Sequence, residues 1–162
     1  MRKNHELKSW DLYTDGSCLK NPGGVGGWAC VIIPPSHNMI KLSGYVPSTT
    51  NQQMELAAVI QGLRYIPEDV YVDVYSDSRY VCDGFNKNWI ESWSNNGWIN
   101  SKKEPVKNVE LWKALKAASL HKHAKFHWVK GHASNPLNNE CDRMAREVID
   151  FNLKMKSLIK EI

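Results

Sequence analysis

The chain has 162 residues, of which 42% are hydrophobic and 23% are charged, and its formal net charge is +4. This length and ordinary composition fit one globular domain with a sizeable core, and we find no repeat, low-complexity tract or linker. The longest apolar run is six residues, Trp28 to Ile33, and residues 1–8 lack an apolar core, so we expect neither a membrane span nor a signal peptide.

The first third of the chain predicts three strands. Residues 8–17 and 39–46 alternate apolar and polar side chains, and residues 28–33 form a continuous apolar run. The glycine-rich segment 20–27 joins the first two strands and lacks the G-x-x-x-x-G-K-[ST] spacing of a phosphate loop. We therefore interpret it as a hairpin turn.

A helix is predicted next. Thr50 and Gln53 have the spacing of a capping box, and the helix should run to about Ile66, before Pro67. Glu55 lies on the same face as small and apolar residues of this helix. A buried unpaired carboxylate is expensive, which favours a site residue over a packing one.

The second half of the chain is expected to add two strands and several helices. The strand 70–76 should run parallel to the first because a helix connects them. In order there follow short helices to about Trp93, an irregular segment 94–106, a helix from its cap Asn108 to about His121, a strand 125–129, a helix from Pro136 and a helical tail, residues 151–162. The expected fold class is α/β with a mixed sheet.

The cysteines are far apart and show no C-x-x-C spacing. This pattern predicts free, mostly buried thiols in a cytoplasmic protein. The four are Cys18, Cys30, Cys82 and Cys141.

Basic residues are concentrated in one stretch. Residues 86–131 contain nine lysines and three glutamates, a net charge of +6, so the remainder carries −2. Among the tryptophans interleaved with these lysines are Trp89, Trp93, Trp98 and Trp112. Because lysines follow phosphates and aromatic rings can contact sugars or bases, we favour nucleic-acid binding over the alternative of a solvated helix face.

Four acidic side chains stand at the ends of predicted elements. Asp15 and Asp77 close strands, whereas Glu55 and Asp142 open helical segments. Strand ends are where an open α/β sheet presents functional groups, and carboxylates that converge there repel one another unless they bind cations. We therefore predict a divalent-metal site with a nucleic-acid substrate.

Five motifs resemble those of type 1 ribonuclease H and occur in the order of that family. They are Thr14-Asp-Gly-Ser17 followed by Asn21-Pro-Gly, Thr50-Asn-Gln-Gln-Met-Glu-Leu56, Ser76-Asp-Ser78 with Tyr80-Val81, Trp128-Val-Lys-Gly-His-Ala133 and Asn138-Asn-Glu-Cys-Asp142. The resemblance covers about residues 8–148. The region 87–112 is similar to the basic handle of the bacterial form.

The resemblance implies a five-stranded mixed sheet flanked by helices, within a domain of residues 8–150 after a tail of residues 1–7. It also implies endonucleolytic hydrolysis of the RNA strand of RNA–DNA hybrids with two Mg²⁺ ions, or Mn²⁺ as a substitute, giving 5′-phosphate and 3′-hydroxyl ends. We expect a monomer without a membrane partner.

The implied catalytic and metal-binding residues are the four acids, Asp15, Glu55, Asp77 and Asp142. His132 matches the catalytic-loop histidine, whose pKa near neutrality suits proton transfer or product release. A zinc site formed by His127, His132 and Cys141 is an alternative, but it lacks paired-ligand spacing.

A second group of residues matches positions that contact the hybrid. Amides reach the minor groove, two helix-start residues resemble a DNA phosphate pocket, and an aromatic ring lies under a DNA sugar. The implied substrate-binding residues are Cys18, Asn21, Thr50, Asn51, Gln52, Trp89, Lys102, Lys103, Lys107 and Asn108. For Trp89 a core position is the alternative.

Two departures from the family pattern concern substrate affinity. Ser48 stands where the phosphate pocket usually has arginine, and the handle tip, residues 93–97, carries no charge. We expect weaker hybrid binding rather than loss of chemistry. Two rivals remain: a catalytically silent hybrid-binding module, and another nuclease or recombinase on the same sheet.

Overall fold

Alternating and continuous apolar segments form the sheet of the computed structural model, which describes residues 8–131 and 134–162. The strands are β1 (Ser9–Cys18), β2 (Gly26–Ile33), β3 (Ile40–Val46), β4 (Tyr71–Ser76) and β5 (His123–Trp128). The helices are α1 (Asn51–Tyr65), α2 (Arg79–Asn86), α3 (Trp89–Asn95), α4 (Val109–Ser119) and α5 (Pro136–Lys160). The expected fold class and the hairpin between the first two strands are confirmed.

The strand order is β3-β2-β1-β4-β5. β2 is antiparallel to both of its neighbours, β1 and β3, whereas β1, β4 and β5 are parallel. The predicted parallel pairing of the first and fourth strands is confirmed. Because parallel strands end at the same edge of a sheet, Asp15 near the end of β1 and Asp77 just after β4 lie on neighbouring strands at one edge.

Helices cover both faces of the sheet. The larger core packs α1, α2 and α4 against one face, and it includes the fully buried Leu12, Leu63 and Trp112. A smaller core under α5 includes Ala29, Val31, Cys141 and Ala145. All four cysteines are free and three of them are buried, as predicted.

The two predicted helix caps have different outcomes. The Thr50 side chain accepts a hydrogen bond from the Gln53 N–H, so the cap of α1 is confirmed. The Gln53 side chain does not close the capping box, because its Oε1 accepts from Thr49 and its Nε2 donates to Asn108. Asn108 is the N-cap residue of α4, as predicted, but its backbone is left-handed, with φ of 57°, and its side chain makes no capping hydrogen bond.

We expect Asn108→Ala to destabilise the protein more than Asn108→Gly. Both changes remove the contacts of this amide with Gln53 and Tyr80, each worth about 1 kcal/mol. Only alanine also carries the left-handed cost of about 1–2 kcal/mol. Urea unfolding of the two variants measures the difference, and equal losses would contradict the role given to the backbone.

The last helix continues well beyond the sheet. α5 runs without a break from Pro136 to Lys160, so residues 151–160 extend the helix that packs on β1, β2 and β3. In the described part of the chain, no helix is long and apolar enough to cross a membrane.

Candidate active site

Three carboxylates converge at the edge where β1 and β4 end. Asp15 belongs to β1, Asp77 follows β4, and Glu55 is supplied by α1, which packs across β1. Each side chain offers a ligand oxygen, and these atoms all lie within 4.8 Å of one another. Sheet register and one helix–strand contact thus bring together residues that are up to 62 positions apart in the sequence.

Burial, reinforced by repulsion between the carboxylates, makes the charged form of this cluster costly. Asp15 is only 5% exposed, and burial, followed by the charges of Asp77 and Asp142, raises its pKa from 3.8 to about 7. Hydrogen bonds with Glu55 and from the Gly16 N–H, the latter at 2.8 Å, oppose this rise. Burial and the adjacent Asp15 also raise the pKa of Glu55 well above its ordinary value. A cation that neutralises the cluster would remove this cost.

The donor set fits a hard divalent cation. All three ligands offer oxygen, which Mg²⁺ and Mn²⁺ prefer. Glu55 Oε2 is buried and has no hydrogen-bond partner among the described residues. Buried polar atoms normally have a partner, and a bound cation would supply one here. The cluster opens into a cavity of about 380 Å³. Its lining comprises Asp15, Gly16, Ser17, Asn51, Gln52, Glu55, Asp77, Ser78 and Asp142.

Asp142 lies on the wall of this cavity but not in the three-membered cluster. Its Oδ2 accepts hydrogen bonds from Arg146 Nη2 at 2.9 Å and Nε at 3.2 Å, one helical turn along α5. The charge of Asp142 still contributes to the raised pKa of Asp15. A fourth ligand at Asp142 therefore stays a prediction, and Arg146 is a neighbour that the sequence had not indicated.

The predicted catalytic His132 lies outside the described residues. The glycine before it approaches the site closely, because a Cβ on Gly131 would lie 2.9 Å from Asp77 Oδ2. The other two members of the alternative zinc set are engaged elsewhere. His127 Nε2 is 2.7 Å from Asp73 Oδ1, and the buried Cys141 thiol donates to the Tyr13 carbonyl while burial raises its pKa.

Part of the predicted substrate-binding set lies beside the carboxylates. Asn51 and Gln52 line the cavity, and the Asn51 N–H donates to Asn21 Oδ1 at 3.1 Å. Cys18 ends β1, and its thiol contacts the Thr49 carbonyl at 3.5 Å. These contacts join the hairpin turn to the start of α1, so both segments border one surface.

A hydrogen-bond chain connects α1 to the region of the handle. Gln53 donates to Asn108, and Asn108 donates to the Tyr80 hydroxyl, which also accepts from Trp112 Nε1. Gln53 and Tyr80 were not predicted as site residues. The only signal in the sequence was the capping spacing of Gln53 and the presence of Tyr80 in a family motif.

The handle comprises α3, an isolated bridge between Ile99 and Pro105, and the start of α4. Trp89 is half-buried, and its ring lies 5.8 Å from that of Trp93, which packs against the core. Trp89 is therefore partly exposed and contacts the core through Trp93. The predicted Lys102, Lys103 and Lys107 are all exposed.

Comparisons with known proteins agree with this arrangement. A family model described as RNase H matches residues 8–150. Ribonuclease H of Chlorobium limicola is 47% identical over 142 residues, covering 87% of this chain and 95% of that protein. Ribonuclease H of Acetivibrio thermocellus is 45% identical over 151 residues, covering 91% of this chain and 99% of that protein.

Two solved structures show the same fold. LC9-RNase H1, described as a type 1 RNase H with the type 2 active-site motif, has a TM-score of 0.76 and 27% identity, covering 88% of this chain and 72% of that chain. The foamy viral protease-reverse transcriptase, solved in complex with an RNA/DNA hybrid, has a TM-score of 0.75 and covers 91% of this chain and 21% of that chain. At 22% identity, the second comparison concerns the fold alone.

Proposed function

The chain belongs to the ribonuclease H family, and we propose that it hydrolyses the RNA strand of RNA–DNA hybrids endonucleolytically, leaving 5′-phosphate and 3′-hydroxyl ends. The observation that carries this proposal is the cluster of Asp15, Glu55 and Asp77 at the sheet edge, open to a cavity bordered by amide side chains.

Divalent cations are the proposed cofactors, with Mg²⁺ as the working ion and Mn²⁺ as a substitute. Asp15, Glu55 and Asp77 would hold them, with Asp142 as the fourth carboxylate once it releases Arg146. Two bound ions would supply activation of the attacking water and stabilisation of the leaving 3′-oxygen. The buried, unpartnered Glu55 Oε2 supports this assignment.

The remaining polar residues are proposed to position the hybrid. Asn21, Asn51 and Gln52 offer amides for the minor groove, and Glu55 and the backbone near Cys18 would distinguish the RNA 2′-hydroxyl. His132 would transfer a proton or assist product release.

A DNA-strand contact is proposed at the start of α1 and along the handle. Thr50 and Asn108 would contact a phosphate, Trp89 would lie against a DNA sugar, and the lysines 102, 103 and 107 would follow the backbone. The Ser48 hydroxyl donates to the Gly23 carbonyl at 3.1 Å. It supplies no positive charge to this contact, so we expect the handle lysines to carry more of the salt-dependent affinity.

The proposed catalytic unit is a single chain, which is supported by the convergence of Asp15, Glu55 and Asp77 within 4.8 Å without a residue from another chain. We also propose a cytoplasmic location, which is supported by four cysteines that form no disulfide, as is usual in a reducing compartment.

A hybrid-cleavage assay tests the proposed function. A labelled RNA–DNA hybrid should be cut in the RNA strand with Mg²⁺, and EDTA should stop cleavage. Matched duplex DNA and duplex RNA serve as controls. Binding without cutting in Mg²⁺ would indicate a silent binding module, and preferred cutting of duplex DNA would indicate a different nuclease.

A further inference from the structure

The end of α5 leaves the domain with an exposed apolar surface. Beyond Asp150 the helix continues in solvent, and Phe151, Leu158 and Ile159 are 63%, 55% and 65% exposed. An isolated helical extension of this length is marginal in water unless an apolar face is covered. This surface takes no part in the proposed hydrolytic site.

Half-buried and exposed apolar residues of α5 follow a coiled-coil repeat. An apolar stripe, defined as Met144, Val148, Phe151, Met155 and Leu158, has alternating spacings of four and three residues. That alternation is the heptad pattern by which one helix packs along another, with the side chains of each fitting between those of its partner. Ile162 continues the spacing just beyond the helix.

Only the first part of the apolar stripe touches the sheet side of its own domain: Met144 packs against the smaller core, whereas Phe151, Met155 and Leu158 are exposed. The core-facing residues of α5 are Ala145 and Ile149, which are buried. Farther along the same face, Lys156 Nζ donates to the Tyr45 hydroxyl of β3 at 3.0 Å, which fixes the rotation of the extension. At 100° per residue, the stripe is displaced from this face by roughly a quarter of a turn.

A shallow cavity lies along the first part of the apolar stripe. It has a volume of about 300 Å³ and lies between β3 and α5. Ser43, Met144, Glu147, Val148 and Phe151 line it. An apolar helix could therefore lie along the stripe with side chains entering this cavity.

Charges beside the apolar stripe indicate the orientation of that helix. Glu147 and Lys154 lie seven residues apart on one edge, and Glu147 also pairs with Arg143 on its own helix. The other edge carries the buried Ala145 and, farther along, Asn152 and Ile159, none of which has a charge. Residues at such edges pair across a coiled coil and set the orientation of its helices.

We propose that the apolar stripe binds a second copy of this chain through antiparallel packing of the two α5 helices. In this register Val148 lies against the partner's Phe151, and Met144 lies against the partner's Met155. Glu147 then meets the partner's Lys154, and the reciprocal pair forms by symmetry. In a parallel pair, Glu147 and Lys154 would face Asn152 and Ile159, leaving both charges unpaired.

The proposed dimer is reversible and leaves each catalytic cluster in its own chain. The interface is short, so we expect dissociation in the micromolar range. An anionic membrane is the main competing occupant because the extension carries Lys154, Lys156 and Lys160. It is disfavoured because Tyr45 holds Lys156 on the sheet side, and because Glu147 borders the stripe.

Sedimentation equilibrium of the full chain tests the proposal. The wild-type mass should rise from monomer to dimer with concentration, and Phe151→Glu should raise the dissociation constant more than about tenfold. Leu153→Glu is the matched control, because Leu153 is also exposed and apolar on this helix but lies outside the stripe. A wild-type monomer at all concentrations up to about 1 mM, or equal effects of the two variants, would overturn the proposal.

A charge exchange tests the antiparallel register. Glu147→Lys alone and Lys154→Glu alone should each weaken self-association, because like charges then meet. An equimolar mixture of these two variants should recover dimer formation, since both cross-pairs become opposite in charge. Thermal melting should first show that both variants are folded. If their mixture then fails to form dimers, the antiparallel register is contradicted. If the wild type sediments with anionic phosphatidylglycerol vesicles and forms no dimer, the apolar stripe binds a membrane instead of a second copy.

Discussion

Replacing Asp15 by asparagine is expected to abolish hybrid cleavage while stabilising the metal-free protein. The exchange keeps the shape of a side chain that is 5% exposed and removes its negative charge from the cluster with Glu55 and Asp77. The loss of a metal-binding charge should reduce turnover by at least about a thousandfold, since metal stabilisation of the transition state is worth several kcal/mol.

The stabilising part of this prediction has a defined pH dependence. The pKa of Asp15 is raised from 3.8 to about 7 in the folded protein, mainly by burial. Below about pH 4 both the folded and unfolded states hold the proton, so the group contributes no penalty. Between about pH 4 and 7 only the folded state retains it, so the stability of the metal-free wild type falls as the pH rises, and the penalty is complete above pH 7.

Urea unfolding in EDTA at pH 5 and pH 8 measures this effect. The stability advantage of Asp15→Asn over the wild type should be larger at pH 8, by an amount on the order of a few kcal/mol. Asp69→Asn, the same exchange at an exposed turn, provides the control. Near-normal cleavage by Asp15→Asn, or a larger stability advantage at pH 5, would show that the site has been assigned wrongly.

The main features of the fold could be predicted because they depend on local patterns. Alternation around Leu12 and Val74 marked the strands, and the helical connection between them required parallel pairing. Parallel pairing then brought Asp15 and Asp77 to one edge. Hydrophobic periodicity and the rules for connecting strands were sufficient to predict the sheet and the position of these two acids, because each rule concerns neighbouring residues or consecutive elements.

The features that sequence reasoning missed depend on contacts between distant segments. Asn108 has the residue type of a helix cap, but its backbone conformation and its contacts with Gln53 and Tyr80 arise from three separate elements. The Asp142–Arg146 contact is local. Whether Asp142 pairs with Arg146 or joins the three other carboxylates at a metal depends on charges from distant parts of the chain. Local propensity does not encode either outcome.

The heptad spacing of α5 can be read from the sequence, but the sequence alone does not show that these residues form a surface separate from the core. The sequence predicts a helix from Pro136 and a helical tail over residues 151–162, but it does not show which side of the helix faces the sheet. Only the buried positions of Ala145 and Ile149 show which face α5 gives to the sheet. The hydrophobic residues left over then form a second surface, and a single helix carries one face for the core and another for a partner.

Gly16→Ala is expected to impair both the fold and the cleavage reaction. Gly16 follows Asp15 on β1, and a Cβ there would lie 2.4 Å from the Glu55 nitrogen and from the Met54 carbonyl carbon. Both are backbone atoms, so no side-chain rotation can relieve the overlap, and α1 must move away from β1. We expect a loss of about 3 kcal/mol in the free energy of unfolding.

The same movement should separate Glu55 from Asp15, and a displacement of about 1 Å in a catalytic group can cost a hundredfold in rate. Gly62→Ala is the matched control, because its Cβ would meet the side chain of Leu12 at 2.4 Å on the same helix–strand contact. That side chain can adjust, and Gly62 lies about two turns from Glu55. Urea unfolding and cleavage at saturating metal should therefore show a loss of stability in both variants but a large loss of rate only in Gly16→Ala. Equal rates in the two variants would mean that the close contact of β1 with α1 supports the fold without setting the geometry of the carboxylates.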